Sequence, residues 1–351
     1  MRDVPAALGG RARGDRLERM RRSPQYRDGA FHNAAGVDTT APPDPREVAR
    51  EWNAADMSSG KPAGPIPVVD AHAEPAPTRP PSDAFGILWY GHASSLLEIE
   101  GKRILIDPVW SQRCSPSQRV GPRRLHRVPA PLENVPAVDA ILISHDHYDH
   151  LDMETVKRLT RERTAPFVVP LGIGAHLERW GVPDSRIVEL DWEERFGLGG
   201  VDLILTPAQH FSGRAFSRND TLWGSWVVAG SRRRAFYSGD SGYFDGYARI
   251  GEKHGPFDVT LMQIGAYSSA WPHVHMTPEE AVQAHIDVKG GLLVPVHWCT
   301  FHLSFHAWSE PVDLLWREAK SRDVRLATPR PGEVVDVAEP RQADGWWQTV
   351  T

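Results

Sequence analysis

SHDHYDHLD, residues 144–152, places three histidines and three aspartates in nine positions, directly after the apolar run 140–143. A packed core has no use for such a set, because buried polar groups cost free energy unless each finds a partner. An ordinary solvated loop would carry Ser, Gly, Asn and Pro instead. His145 and His147 alternate, so in an extended segment both rings face the same way. Asp149 and His150 follow where the chain should turn into a helix near Asp152. The stretch therefore brings four ligands to one point, enough to seat two metal ions a few ångströms apart.

A metal centre also needs ligands from elsewhere. His210 follows the strand-like VDLILTPAQ, Asp240 follows RAFYSG, and His297 follows LLVPV. Each stands at the C-terminal end of an apolar run, where α/β folds collect functional groups. The assembled set holds five His and two Asp with no sulfur. It suits Zn²⁺, with Mn²⁺ or Fe²⁺ as substitutes.

Around these residues, strand patterns alternate with helical ones from Phe85 onward. Strands are expected at 86–91, 95–101, 103–108, 140–144, 167–170, 186–190, 201–207, 224–230, 234–238, 258–262 and 292–298. Helices are expected at 153–163, 174–181, 246–254, 278–288 and 311–320. Thr277-Pro278-Glu279-Glu280 is a capping box with Pro at the first helical position. Many strands with interspersed helices imply layered sheets covered by helices. Residues 1–83, rich in Pro, Ala, Gly and charge, read as a partly ordered N-terminal extension. It includes a short helix near 46–54 and an extended Pro-rich linker at 62–83. Residues 84–351 read as the catalytic domain.

Composition narrows the rest. The 351 residues carry a net charge of −5, which gives no reason to expect a nucleic-acid partner. Two cysteines are too few for a disulfide framework, and no stretch is long and apolar enough to span a membrane. The expectation is a cytoplasmic protein. Its thirteen Trp are read mainly as core.

The string His145-x-His147-x-Asp149-His150, followed by His210, Asp240 and His297, resembles the metallo-β-lactamase superfamily. WYGHASSLLEI (89–99), ILIDPVWSQRCSP (104–116), ISHDHYDHLD (143–152), HMTPEEAV (275–282) and HWCTF (297–301) resemble the branch that holds N-acylphosphatidylethanolamine-hydrolysing phospholipase D and its bacterial relatives. SPQYRDGAFHN (23–33) resembles the N-terminal region of that branch. The resemblance implies an α/β (α+β) four-layer αβ/βα sandwich with the site along one edge. It places His145, His147 and His210 on one zinc, and Asp149, His150 and His297 on the other. Asp240 bridges them, and Asp149 doubles as a catalytic group beside the shared water. Two such ions lower the pKa of that water from ~16 toward ~7 and yield a bridging hydroxide. His275 is expected near the scissile phosphate, although Val274 stands where those enzymes carry a glutamine. Asp107 is a candidate support for a metal-bound histidine. Cys299 reads as a wall residue, and the basic loop GPRRLHR (121–127) as a solvated face.

Three functions follow from the resemblance and the ligand set. The first is a zinc-dependent phosphodiesterase of the phospholipase D type, acting on a phosphodiester or phospholipid-like substrate. The second is a metal-dependent lactonase of the ascorbate-phosphate lactonase type, and the third a metal-binding module without turnover. Peripheral membrane contact and a homodimer are compatible with the first.

Overall fold

The computed structural model describes residues 4–34, 36–56, 58–72, 80–214 and 217–350. A two-stranded hairpin, β1 (Tyr26–Arg27) and β2 (Ala30–Phe31), precedes two large sheets. The first sheet runs β3 (Phe85–Gly91), β4 (Ser94–Ile99), β5 (Lys102–Ile106), β6 (Ala140–Leu142), β7 (Phe167–Pro170) and β8 (Ile187–Leu190) in spatial order. The second comprises β9 (Arg195–Gly197), β10 (Asp202–Thr206), β11 (Ser225–Ala229), β12 (Arg234–Tyr237), β13 (Phe257–Gln263) and β14 (Gly290–Val296), with β14 and β9 at its edges. β15 (Val334–Asp336) returns to pair with β3.

The first sheet is apolar on both faces, and its alternation sorts side chains into two cores. Ile87, Trp89, Ile104, Ile106 and Leu142 face the second sheet. Leu88, Tyr90, Leu105, Ile141 and Phe167 face outward. That outer face is covered by α4 (Met153–Glu162) and α5 (Gly174–Arg179), through Val156, Leu159, Leu177 and Trp180. On the far side of the second sheet lie α6 (Gly246–His254), α7 (Pro278–Asp287) and α8 (Glu310–Ser321), which bring Ile250, Val282 and Leu315 into the central core. The order helix, sheet, sheet, helix is the expected four-layer sandwich. α7 starts on the expected capping box, with Thr277 Oγ1 accepting from Glu280 N–H and the Glu280 carboxylate accepting from Thr277 N–H.

The N-terminal segment adds α1 (Val4–Ala7), α2 (Gly14–Arg22) and α3 (Pro45–Ala54). Met20, Phe31 and Ile66 enter the central core, and Ala7 and Ala71 the outer one. The described part of the Pro-rich stretch is extended, as expected, yet tied down. Val69 N–H donates to Pro331 O (2.9 Å) and Ala71 N–H to Pro129 O (3.1 Å). Residues 73–79 of that stretch lie outside the described residues.

The basic loop 121–127 departs from the expected solvated face. Arg124 and His126 are buried, while Arg123 and Arg127 remain exposed. The Arg124 guanidinium donates to Val109 O and Ser111 O and lies over the Phe301 ring. A buried guanidinium needs acceptors, and here the carbonyls of the segment after β5 supply them.

Candidate metal centre

Strand direction explains why one edge collects the chemistry. β5 and β6 are parallel, as are β12, β13 and β14. β3 shares the direction of β5, because two antiparallel pairings separate them. β10 shares the direction of β12 by the same reasoning. The loops leaving β3, β5, β6, β10, β12, β13 and β14 therefore all open on this edge. They carry His92, Asp107, the 145–150 cluster, His210, Asp240, His275 and His297 respectively.

The ligands converge on the Asp240 carboxylate. Its Oδ2 lies 3.0 Å from His297 Nε2, 3.1 Å from His150 Nε2, 3.9 Å from His145 Nε2 and 4.0 Å from His210 Nε2. On one side His147 Nδ1 lies 2.9 Å from His145 Nε2 and 3.3 Å from His210 Nε2. On the other, Asp149 Oδ2 lies 3.2 Å from His297 Nε2 and 3.5 Å from His150 Nε2. All seven residues expected as ligands thus lie together: His145, His147 and His210 cluster on one side of Asp240, and Asp149, His150 and His297, joined by His92, on the other. His145 and His147 come from irregular chain, since β6 ends at Leu142, but their alternation survives. Asp146 turns the opposite way, its Oδ1 accepting from Gly213 N–H (2.7 Å).

Asp107 supports the cluster from beneath, in left-handed backbone (φ +39°) and fully buried. It accepts from His150 Nδ1–H (2.7 Å), from Ser144 N–H (2.7 Å), from Ser144 Oγ–H and from Tyr237 O–H. The first bond fixes His150 as the tautomer whose Nε2 faces Asp240. Val274 serves through its carbonyl, which accepts from His210 Nδ1–H (3.1 Å).

His275 stands at the open side, with Nε2 4.0 Å from Asp240 Oδ2. Its Nδ1 lies 3.3 Å from Gln263 Oε1. Gln263 Nε2–H donates to Ser241 O (3.0 Å), so Oε1 is the acceptor and Nε2 of His275 is left for the site. His147, Asp149 and His275 are only partly buried, which opens the cluster on that face. Cys299 is buried in the central core.

His92 belongs to the site as well, although ligand-spacing arguments pass it over. It sits between β3 and β4 with φ +52°, wholly buried. Its N–H donates to Thr300 Oγ1 (2.6 Å), and its carbonyl accepts from Trp89 Nε1–H (2.7 Å) and His297 N–H (3.0 Å). Its Nε2 lies 2.9 Å from Asp149 Oδ2. A histidine in the GHA turn of a hairpin pointing at the 145–150 edge was the available signal.

Charge and burial are coupled throughout the cluster. Burial alone would raise the Asp149 and Asp240 carboxyls, but neighbouring imidazoles, His150 first, hold both well below the usual range. Burial holds His145 and His210 well below the ordinary histidine value, reinforced by adjacent imidazoles. His297 is pulled down by burial but pushed up more by Asp240 and Asp149, to about 9. His150 Nε2 and Asp240 Oδ1 are buried without a hydrogen-bond partner. Two ionised carboxylates, neutral His145 and His210, and unpartnered buried atoms on one centre are a donor set that fits divalent metal.

Comparison with known proteins agrees with this geometry. A family model described as "Beta-lactamase superfamily domain" matches residues 102–298. An uncharacterized protein of Mycobacterium tuberculosis is 50% identical over 350 residues, covering 98% of this chain and 92% of that protein. The N-acyl-phosphatidylethanolamine-hydrolyzing phospholipase D 1 of Caenorhabditis elegans is 35% identical over 268 residues, covering 72% of this chain and 75% of the relative. Among solved structures, a metallo hydrolase of the archaeon Ignicoccus hospitalis has the same fold, with TM-score 0.56 at 22% identity over 72% of this chain and 97% of that one. The chain belongs to the metallo-β-lactamase superfamily and is one of its metal-dependent hydrolases.

Proposed function

We propose that this hydrolase is a zinc-dependent phosphodiesterase of the N-acylphosphatidylethanolamine phospholipase D type, cleaving the phosphodiester of an acyl-bearing substrate. The observation that carries the reading is His275, held by Gln263 at the open face of the seven-ligand cluster with its Nε2 turned inward. His145, His147 and His210 would hold one ion, Asp149, His150 and His297 the other, with Asp240 between them. Two divalent ions bound there would supply Lewis acidity and an activated water at neutral pH. The chain's own residues do the rest. His275 Nε2, whose lone pair is free because Nδ1–H is bonded to Gln263, faces the substrate and takes up the proton released by the attacking water. Asp107 holds the His150 imidazole, and Gln263 the His275 imidazole, in one orientation.

Partly exposed rings accompany the site. The loops that carry His275 and His297 also carry Trp271 and Phe305. Trp271 and Phe305 lie 5.7 Å apart, and Trp52 of α3, 56% exposed, meets Phe305 edge-on at 6.2 Å. These rings suit acyl chains and peripheral contact with a lipid surface. Among the described residues no helix is long and apolar enough to cross a membrane.

The test is hydrolysis by metal-loaded protein across phosphodiesters of graded acyl length, with one water-soluble lactone as comparator. A fully buried methylene offers ~0.8 kcal/mol, so kcat/KM should fall up to ~4-fold for each methylene removed. Chelation should abolish the activity and added Zn²⁺ restore it. A flat series with rapid lactone opening would sink the lipid reading and favour the lactonase.

A further inference from the structure

One side chain of the N-terminal segment grips the main chain of a candidate ligand. Asn33, 5% exposed, donates through Nδ2 to His210 O (2.9 Å) and accepts at Oδ1 from His210 N–H (3.0 Å). Trp223 Nε1–H also donates to Oδ1 (3.1 Å), so two obligate donors fix the orientation of the amide. Thr39 Oγ1–H adds a bond to His210 O (2.6 Å). β10 ends at Thr206, so its ladder does not reach His210, and the Asn33 amide takes the place of a strand partner there. Val274 O aims the His210 ring, while Asn33 sets the backbone from which that ring projects.

The same segment also reaches the chain that carries His145 and His147. Gly10 N–H donates to His176 Nδ1 (3.0 Å), which leaves the His176 Nε2–H to meet Asp146 Oδ2 (3.2 Å) between His145 and His147. Gly9, at φ +82°, allows this approach, since a Cβ there would stand 2.0 Å from His176 Nδ1.

We propose that Asn33 is a positioning residue for His210, and that the N-terminal segment completes the scaffold of that half of the centre. The inference rests on the metal-centre reading above. Docking of Phe31, Asn33 and Thr39 and metal affinity at His145, His147 and His210 are then linked, and linkage is reciprocal.

The experiment is Co²⁺ titration of the full chain, following visible absorption, for the parent, Asn33→Ala, Asn33→Asp and Arg27→Ala. Arg27 is an exposed residue of the same hairpin and serves as control. Asn33→Ala should weaken one of two bound ions ~10–100-fold and change its absorption band, as losing a group that orients a ligand does. Asn33→Asp sets a buried carboxylate oxygen against His210 O in place of the donor and should weaken that ion at least as much as Asn33→Ala, while Arg27→Ala should match the parent. A folded Asn33→Ala protein with parent affinities and spectrum overturns the inference alone. A parent that binds no cobalt overturns it together with the reading beneath it. Should Asn33→Ala fail to fold, hydrogen exchange of the unaltered protein decides. Metal should slow exchange of the Phe31 amide, which is bonded to Asn219 O (2.9 Å), and an unchanged rate overturns the proposal.

Discussion

Asp240 and His275 stand 4.0 Å apart and differ in what depends on them. Asp240 Oδ2 is within 4.0 Å of the Nε2 atoms of His145, His150, His210, His275 and His297, so its removal leaves those imidazoles without their shared anion. His275 meets the cluster from its open face only. Asp240→Ala should therefore lose metal and activity together, whereas His275→Ala should keep its metal and lose ~10²–10⁴-fold in turnover, the usual worth of a proton-transfer group. Metal analysis of both variants alongside kinetics checks this, and full metal content in Asp240→Ala would contradict the assignment. The seven clustered residues were legible because ligand types recur in order at strand ends. His92 and Asn33 were not. Each acts through a tertiary contact, His92 on Asp149 and Asn33 on a peptide group, and neither contact leaves a spacing behind.

Between elements, a carboxylate joins the two sheets at the edge away from the site. Glu100, in the turn between β4 and β5, accepts from Ser231 N–H (3.0 Å), Ser231 Oγ–H (2.8 Å), Arg232 N–H (2.7 Å) and Arg233 N–H (2.9 Å) in the turn between β11 and β12. Gly230 makes room, since a Cβ there would lie 2.4 Å from Glu100 Oε1. Burial raises the carboxyl, but the four donors together outweigh it and hold it down to about 2. A depressed carboxyl contributes stability above its unfolded value of ~4.3 and loses it as pH falls toward the folded value. Glu100→Gln should therefore melt below the parent at pH 7, with the gap closing between about pH 4.3 and 2. Parallel melting curves over that range test it, and a gap independent of pH would refute it. At this scale the expected strands and helices all formed, with ends shifted by a residue or two, because apolar alternation marks the buried stretches. The β1–β2 hairpin, β9 and β15 escaped, being two or three residues long and half exposed, too short for any period to show.

For the molecule as a whole, the decisive question is whether 84–351 is a unit by itself. Composition draws a boundary near residue 83, because Pro, Gly and charge dominate before it. Packing cuts across that boundary. Met20, Phe31 and Ile66 lie in one core with Trp89, Leu205 and Trp226, and Ala7 and Ala71 in the other with Leu132 and Trp180. Arg16 adds ion pairs to Glu178 (2.5 Å) and Glu189 (2.6 Å). Truncating one large core side chain typically costs ~2–5 kcal/mol, against a total stability of ~5–15 kcal/mol for a domain. Losing Met20, Phe31 and Ile66 together would consume most of that margin. The intact protein should accordingly melt in one calorimetric transition, with the Phe31 amide protected about as well as amides of β13. A chain beginning at residue 84 should be aggregated or unfolded at temperatures where the parent is native. A truncated protein that is monomeric, cooperative and within a few degrees of the parent would make the extension an accessory. Two separate transitions in the intact chain would make it an independent unit.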